Sequence, residues 1–317
     1  MRAAWACKAA AMLAAALLGG PGAQAASLQF CDTSTALSPA ALDEVLALSV
    51  QVQAQLEARG ARAAVVARDG LGLQRWGQRY SHAGVVWQDG PAGAWTVRQL
   101  YYACGEGHAR LFDQGLGAFI SGSRGGAVRF LRLLLLPVSA EAALHAHATD
   151  ARSAHAWLHP HYSANAHAFG TRFQNCNQWL AELMAAAWGG PFPVSAEAGA
   201  AQGDRAAAQA WLQREGYTAT RIHAGPLLLA AAFSPWLHLA DHPAADRASG
   251  QLQVVLPQDL MDWAAQRHPG SRQLEFCRNA RELWLREDGP PLPADCQPAP
   301  DARTWRLNSS GAPEVRG

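Results

Sequence analysis

Tyr80-Ser81-His82-Ala83-Gly84-Val85-Val86-Trp87 reads as the entry to an apolar strand with a histidine at its mouth and small residues behind it. That composition lets an imidazole face a cleft while the strand runs into a core. A second stretch, Arg172-Phe173-Gln174-Asn175-Cys176-Asn177-Gln178-Trp179, opens a helix. Cys176, Trp179, Leu180, Leu183, Met184 and Ala187 share one face, and Gly189-Gly190 stops it. A cysteine in the first turn of a helix meets unpaired N–H groups and the positive end of the helix dipole, both of which favour a thiolate. The same N–H groups are suited to an oxyanion formed when sulfur attacks a carbonyl. His82 is then the base by type, and Gln99 in the strand Trp95–Tyr101 is the polar residue that orients its ring, with Arg98 on the opposite face.

Working outward, Ser38-Pro39 caps and starts a helix closed by Gly60. Strands follow at 63–67, 83–87 and 95–101, and 127–136 is either a strand or a short buried helix. Residues 139–167 contain helical stretches rich in Ala and His. Further helices are expected at 204–215 and 257–266, with strands at 217–223 and 252–256. Strands and helices mix without βαβ alternation, so the fold class is α+β, with a small, bent antiparallel sheet packed on the Cys176 helix.

Residues 1–26 have the form of a cleavable signal peptide: Arg2 and Lys8, ten apolar residues from Ala9 to Leu18, then Ala23-Gln24-Ala25. Ten residues are too few to cross a bilayer, which takes about 20 in a helix. The expected location is periplasmic or extracellular, with no transmembrane segment in the mature chain. Without Arg2 and Lys8 the chain carries 24 basic and 25 acidic residues, which gives no reason to expect nucleic acid or an anionic membrane as partner. Five cysteines remain: Cys31, Cys104, Cys176, Cys277 and Cys296. Cys277 and Cys296 flank a Pro-rich loop and are a natural disulfide pair, and Cys31 and Cys104 offer a second, leaving Cys176 unpaired. Residues 27–297 are expected as one domain with a C-terminal elaboration, and 298–317 as a flexible tail.

The order Ser-His-Ala-Gly strand, neighbouring strand, Asn-Cys helix resembles the circularly permuted papain-like proteins, relatives of the NlpC-type cell-wall peptidases and of lecithin:retinol acyltransferase. This likeness covers about residues 60–190. The runs Leu111-Phe112-Asp113-Gln114-Gly115-Leu116-Gly117 and Thr171 to Trp179 are more closely similar, over residues 28–280, to a bacterial family of exported proteins catalogued as a domain of unknown function. Carried over by motif, the resemblance implies Cys176 as nucleophile, His82 as base and Gln99 as third member. The second histidine that such acyltransferases carry in the neighbouring strand is absent, which favours hydrolysis or a degraded site.

Six of the twelve histidines, His145, His147, His155, His159, His161 and His167, fall within 23 residues. His238 and His242 have the i, i+4 spacing of helical metal ligands. Neither group contains a His-Glu-x-x-His motif, so no metal and no cofactor are expected. The reading is an exported cysteine hydrolase or transferase acting on an amide or ester, cell-wall peptide first and lipid ester second. The alternative is a non-catalytic envelope binding protein on the same fold.

Overall fold

The computed structural model describes residues 37–103, 105–122, 129–197, 200–225, 234–279, 281–297 and 299–307. The expected signal peptide, Cys31 and Cys104 lie outside them. Helix α1 (Pro39–Glu57) starts where Ser38 Oγ accepts from Ala41 N at 3.2 Å, with Pro39 at its first position. Strands β1 (Ala63–Arg68), β2 (His82–Gly90), β3 (Gly93–Ala103) and β4 (His108–Gly115) form an antiparallel meander. After the short helix α2 (Leu116–Ser121), β5 (Arg129–Leu135) returns to the free side of β1. The apolar run at 127–136 is thus a strand, fixed by pairing on both of its edges.

Helices α3 (Val138–Thr149), α4 (Ala151–Ala156) and α5 (Cys176–Trp188) follow, then the hairpin β6 (Val194–Glu197) and β7 (Ala200–Gly203) and helix α6 (Arg205–Arg214). A second small pair, β8 (Thr220–His223) and β9 (Gln251–Val254), brackets α7 (Ala244–Ser249), and α8 (Pro257–Arg267) leads into β10 (Arg272–Arg278), β11 (Glu282–Glu287) and β12 (Arg303–Arg306). The main sheet has eight strands in the order β12-β11-β10-β5-β1-β2-β3-β4, with every neighbouring pair antiparallel.

The α+β class holds, but the sheet is larger than expected and has helices on both faces. Alternation sorts the layers. Val65, Ala67, Ala83, Val85 and Leu134 pack with α3, α5, α6 and α8. Ala64, Val66, Val86, Val97 and Leu133 pack with Val45, Leu48 and Val52 of α1 and Phe119 of α2. The flexible tail expected past Cys296 is corrected over Arg303–Arg306, which pair with β11 as the edge strand; residues 308–317 are not among those described. No helix among the described residues is long and apolar enough to cross a membrane.

Candidate functional site

Three side chains hold the start of α5. Asn175 Oδ1 accepts from Gln178 N at 2.7 Å, the N-cap bond that its residue type supplies. Asn177 does not cap. Its Nδ2 donates to Ser81 O and to Val255 O, both at 3.2 Å, tying the helix start to the entry of β2. Gln178 Nε2 donates to Gly170 O at 2.9 Å and His167 O at 3.1 Å, holding the approaching loop. Below them Glu182, fully buried in α5, accepts from Arg205 Nε at 2.8 Å, Gln174 Nε2 at 2.6 Å and Gln209 Nε2 at 2.7 Å. Arg205 also donates to Thr171 O at 2.7 Å and Phe173 O at 3.0 Å, so one buried charge network positions the whole Cys176 approach.

Cys176 is buried and is the free cysteine among the described residues. Burial pushes its thiol up to about 12, against the weaker opposing effects of the Arg68 charge and of the N–H groups of Asn177 and Cys176. The expectation that the helix start favours a thiolate is therefore corrected: desolvation outweighs the helix end.

His82 and Gln99 are brought together. His82 Nε2 and Gln99 Oε1 are 2.6 Å apart, and Gln99 Nε2 donates to Gln114 Oε1. With Gln99 Oε1 toward the ring, the acceptor of this pair is the amide oxygen and His82 Nε2 is its donor, which leaves Nδ1 as the basic atom. Gln99 is fully buried rather than on an exposed strand face, and Arg98, on the other face, pairs with Asp113 at 2.7 Å. Gly84 completes the motif, because a Cβ there would stand 2.5 Å from Arg98 O. His82 stacks on Tyr101 at 4.4 Å and meets Phe119 at 5.9 Å. Burial lowers its pKa well below the ordinary imidazole value, and the Arg68 charge lowers it further, against the hydrogen bond to Gln99.

No hydrogen bond joins Cys176 to His82. Strand alternation explains it: Ala83 and Val85 pack in the layer of Cys176, whereas His82 meets Phe119 of the other layer. Arg68 is the residue that the sequence reading passes over. It stands opposite His82 in the β1–β2 register, is buried, and donates from Nη1 to Gly122 O at 2.6 Å and from Nη2 to the Tyr101 hydroxyl. No carboxylate pairs with it among the described residues, and its buried Nε has no acceptor. Its signal in the sequence is faint: a charge closing the apolar run Ala63-Ala64-Val65-Val66-Ala67.

Among the described residues the histidines meet only in pairs: the His167 and His242 rings are 5.4 Å apart, and those of His159 and His161 are 5.3 Å apart. His238 and His242 lie outside any helix; His238 stacks on Phe173 at 4.4 Å, and His242 Nε2 is 2.7 Å from Asn165 O. Among the described residues no group of three or more His, Cys, Asp and Glu side chains is placed to hold a metal ion. Cys277 and Cys296 form a disulfide, with Cα atoms 5.8 Å apart.

These features define an α+β protein with a free, buried cysteine at a helix start and a His–Gln pair at the mouth of a strand. The chain belongs to the family described as "Uncharacterized protein conserved in bacteria" (DUF2145), which matches residues 55–264, inside the span its motifs suggested. No curated protein and no solved structure matches it.

Proposed function

We propose that the chain is an exported thiol hydrolase or transferase acting on an amide or ester, built on a permuted papain-like arrangement. The observation that carries this reading is the His82–Gln99–Gln114 chain, which leaves Nδ1 as a lone-pair base on an otherwise neutral, buried ring. In the reaction, Nδ1 takes the Sγ proton and the sulfur attacks the carbonyl carbon. The C–N or C–O bond then breaks as the imidazolium returns the proton to the leaving group. Water or a second acceptor releases the acyl group from Cys176. Both groups are neutral at rest and face different layers of the sheet, so this reading requires the start of β2 to turn and bring Nδ1 to the thiol when substrate enters. A disulfide at Cys277–Cys296 supports an oxidising compartment, and cell-wall peptide is the first substrate, a lipid ester the second.

Turnover of a cell-wall peptide and of a carboxylic ester by the mature protein tests this. Loss of activity in both Cys176→Ala and His82→Ala is expected; full activity in Cys176→Ala overturns it. The second reading, a non-catalytic envelope binding protein, is favoured by the burial of Cys176 and its raised pKa. It requires that iodoacetamide fail to label Cys176 at pH 8 without denaturant, with or without substrate.

A further inference from the structure

Away from Cys176, a cleft of about 560 Å³ opens between α8 and the loop that follows β11. Its volume falls within the range of small-molecule sites, roughly 300–1,000 Å³. The floor is a cross-strand row on one face of the sheet: Arg132 of β5 stands opposite Glu275 of β10, which stands opposite Arg286 of β11. Asp262 and Ala265 of α8 form one wall. The other is Asp288 to Ala294, within the loop closed by Cys277–Cys296.

The carboxylates here are already committed. Glu275 accepts from Arg79 Nη1 at 2.6 Å, from the Tyr80 hydroxyl and from Leu292 N, both at 2.5 Å. Asp288 accepts from Gln273 N at 2.8 Å and Arg272 Nε at 2.7 Å, and Asp262 accepts from Arg132 Nη2. The arginines keep donors to spare. Arg132 is engaged through Nη2 alone, by Asp262 and Gln273, although a guanidinium carries five N–H groups. Arg286 spends its Nη atoms on Pro290 O, Pro291 O and Asp301, while its buried Nε has no acceptor. One unmet acceptor belongs to the same lining, the buried Oε1 of Gln78. A buried polar atom without a partner costs stability unless something completes it.

We propose that this cleft binds a small polar molecule bearing a carboxylate and a nearby N–H donor, the chemistry of an amino acid or short peptide. The carboxylate seats on Arg132 and Arg286 Nε, and the N–H donates to Gln78 Oε1. The site stands whether or not Cys176 is catalytic.

Calorimetric titration of the mature protein with Ala-Ala-Ala and with its C-terminal amide tests it. The free acid should bind, with the amide at least tenfold weaker. Arg132→Gln should weaken the acid at least tenfold and leave the amide unchanged. Ala265→Trp, on the half-exposed wall of α8, should abolish both, and Cys176→Ala should change neither. Equal affinity for acid and amide, or no heat from either, overturns the proposal.

Discussion

Gln99 Oε1 accepts the proton of His82 Nε2 at 2.6 Å, and the amide that supplies it is held in turn by Gln114. A neutral amide fixes the tautomer of an imidazole without stabilising its protonated form as a carboxylate does. Gln99→Ala leaves the buried His82 Nε2 without its partner and is expected to cost about 1–3 kcal/mol in urea denaturation. Gln99→Glu should raise the His82 pKa, read from the imidazole resonances by NMR. An unchanged titration in that variant would show that Gln99 does not set the ring's charge.

Burial and the Arg68 charge depress the His82 pKa, so below the ordinary value of about 6.5 the unfolded chain takes up a proton that the native ring refuses. Stability from this group is complete above pH 6.5 and is lost as pH falls toward the folded pKa, by up to about 1.4 kcal/mol per pH unit. Urea midpoints between pH 4.5 and 7 should show this slope, and His82→Asn should flatten it.

Cys176 has the opposite sign. Its thiol stays protonated in the fold up to about 12, while the unfolded thiol ionises from about pH 8.5. Stability is therefore complete below pH 8.5 and falls as pH rises, by about 2 kcal/mol at pH 10. Cys176→Ala should remove that alkaline loss, and a thiolate absorbance near 240 nm should be absent from the native protein at pH 9.

The elements around the site are legible because each carries a local signal. Ser38-Pro39 caps α1, Asn175 caps α5, and Gly84 marks the close approach of β3. Less is legible where the signal is distributed. Leu274 and Phe276 alternate with Gln273 and Glu275, yet the sequence reading assigns no element to 272–287, because the polar face lines a cleft built by distant residues. The same holds for the layer that His82 faces: the strand's period is visible, but which face meets α5 depends on how α2 and α5 cover the sheet. The thiol's charge state also escapes, since a helix start is local while the burial that overrides it is not.

Cys277 and Cys296 are both fully buried, and their bond closes the loop whose Pro290 and Pro291 line the cleft. A cross-link over a 19-residue separation is expected to contribute about 3 kcal/mol in the chain-entropy model. The double variant Cys277→Ser, Cys296→Ser should lose about that much in a denaturant melt. Mass spectrometry of the non-reduced protein should find this pair linked and Cys176 reduced.

Arg205 ties two features together, the buried charge of Glu182 and the carbonyls of Thr171 and Phe173 on the approach to Cys176. Arg205→Met removes the cation but leaves Glu182 in a site with no exposure, where an uncompensated carboxylate costs about 3–5 kcal/mol. Pairing it with Glu182→Gln should recover much of that loss, because the buried charge is gone and the amide oxygen still accepts from Gln174. The loop, however, loses its anchor in both variants. Hydrogen exchange over residues 170–175 should therefore stay elevated in the double variant after stability has returned, and iodoacetamide should reach Cys176 faster than in the wild type. If exchange in the loop recovers together with stability, Gln178 and Gln209, which also donate to Gly170 O, are sufficient to hold it and Arg205 serves the charge alone.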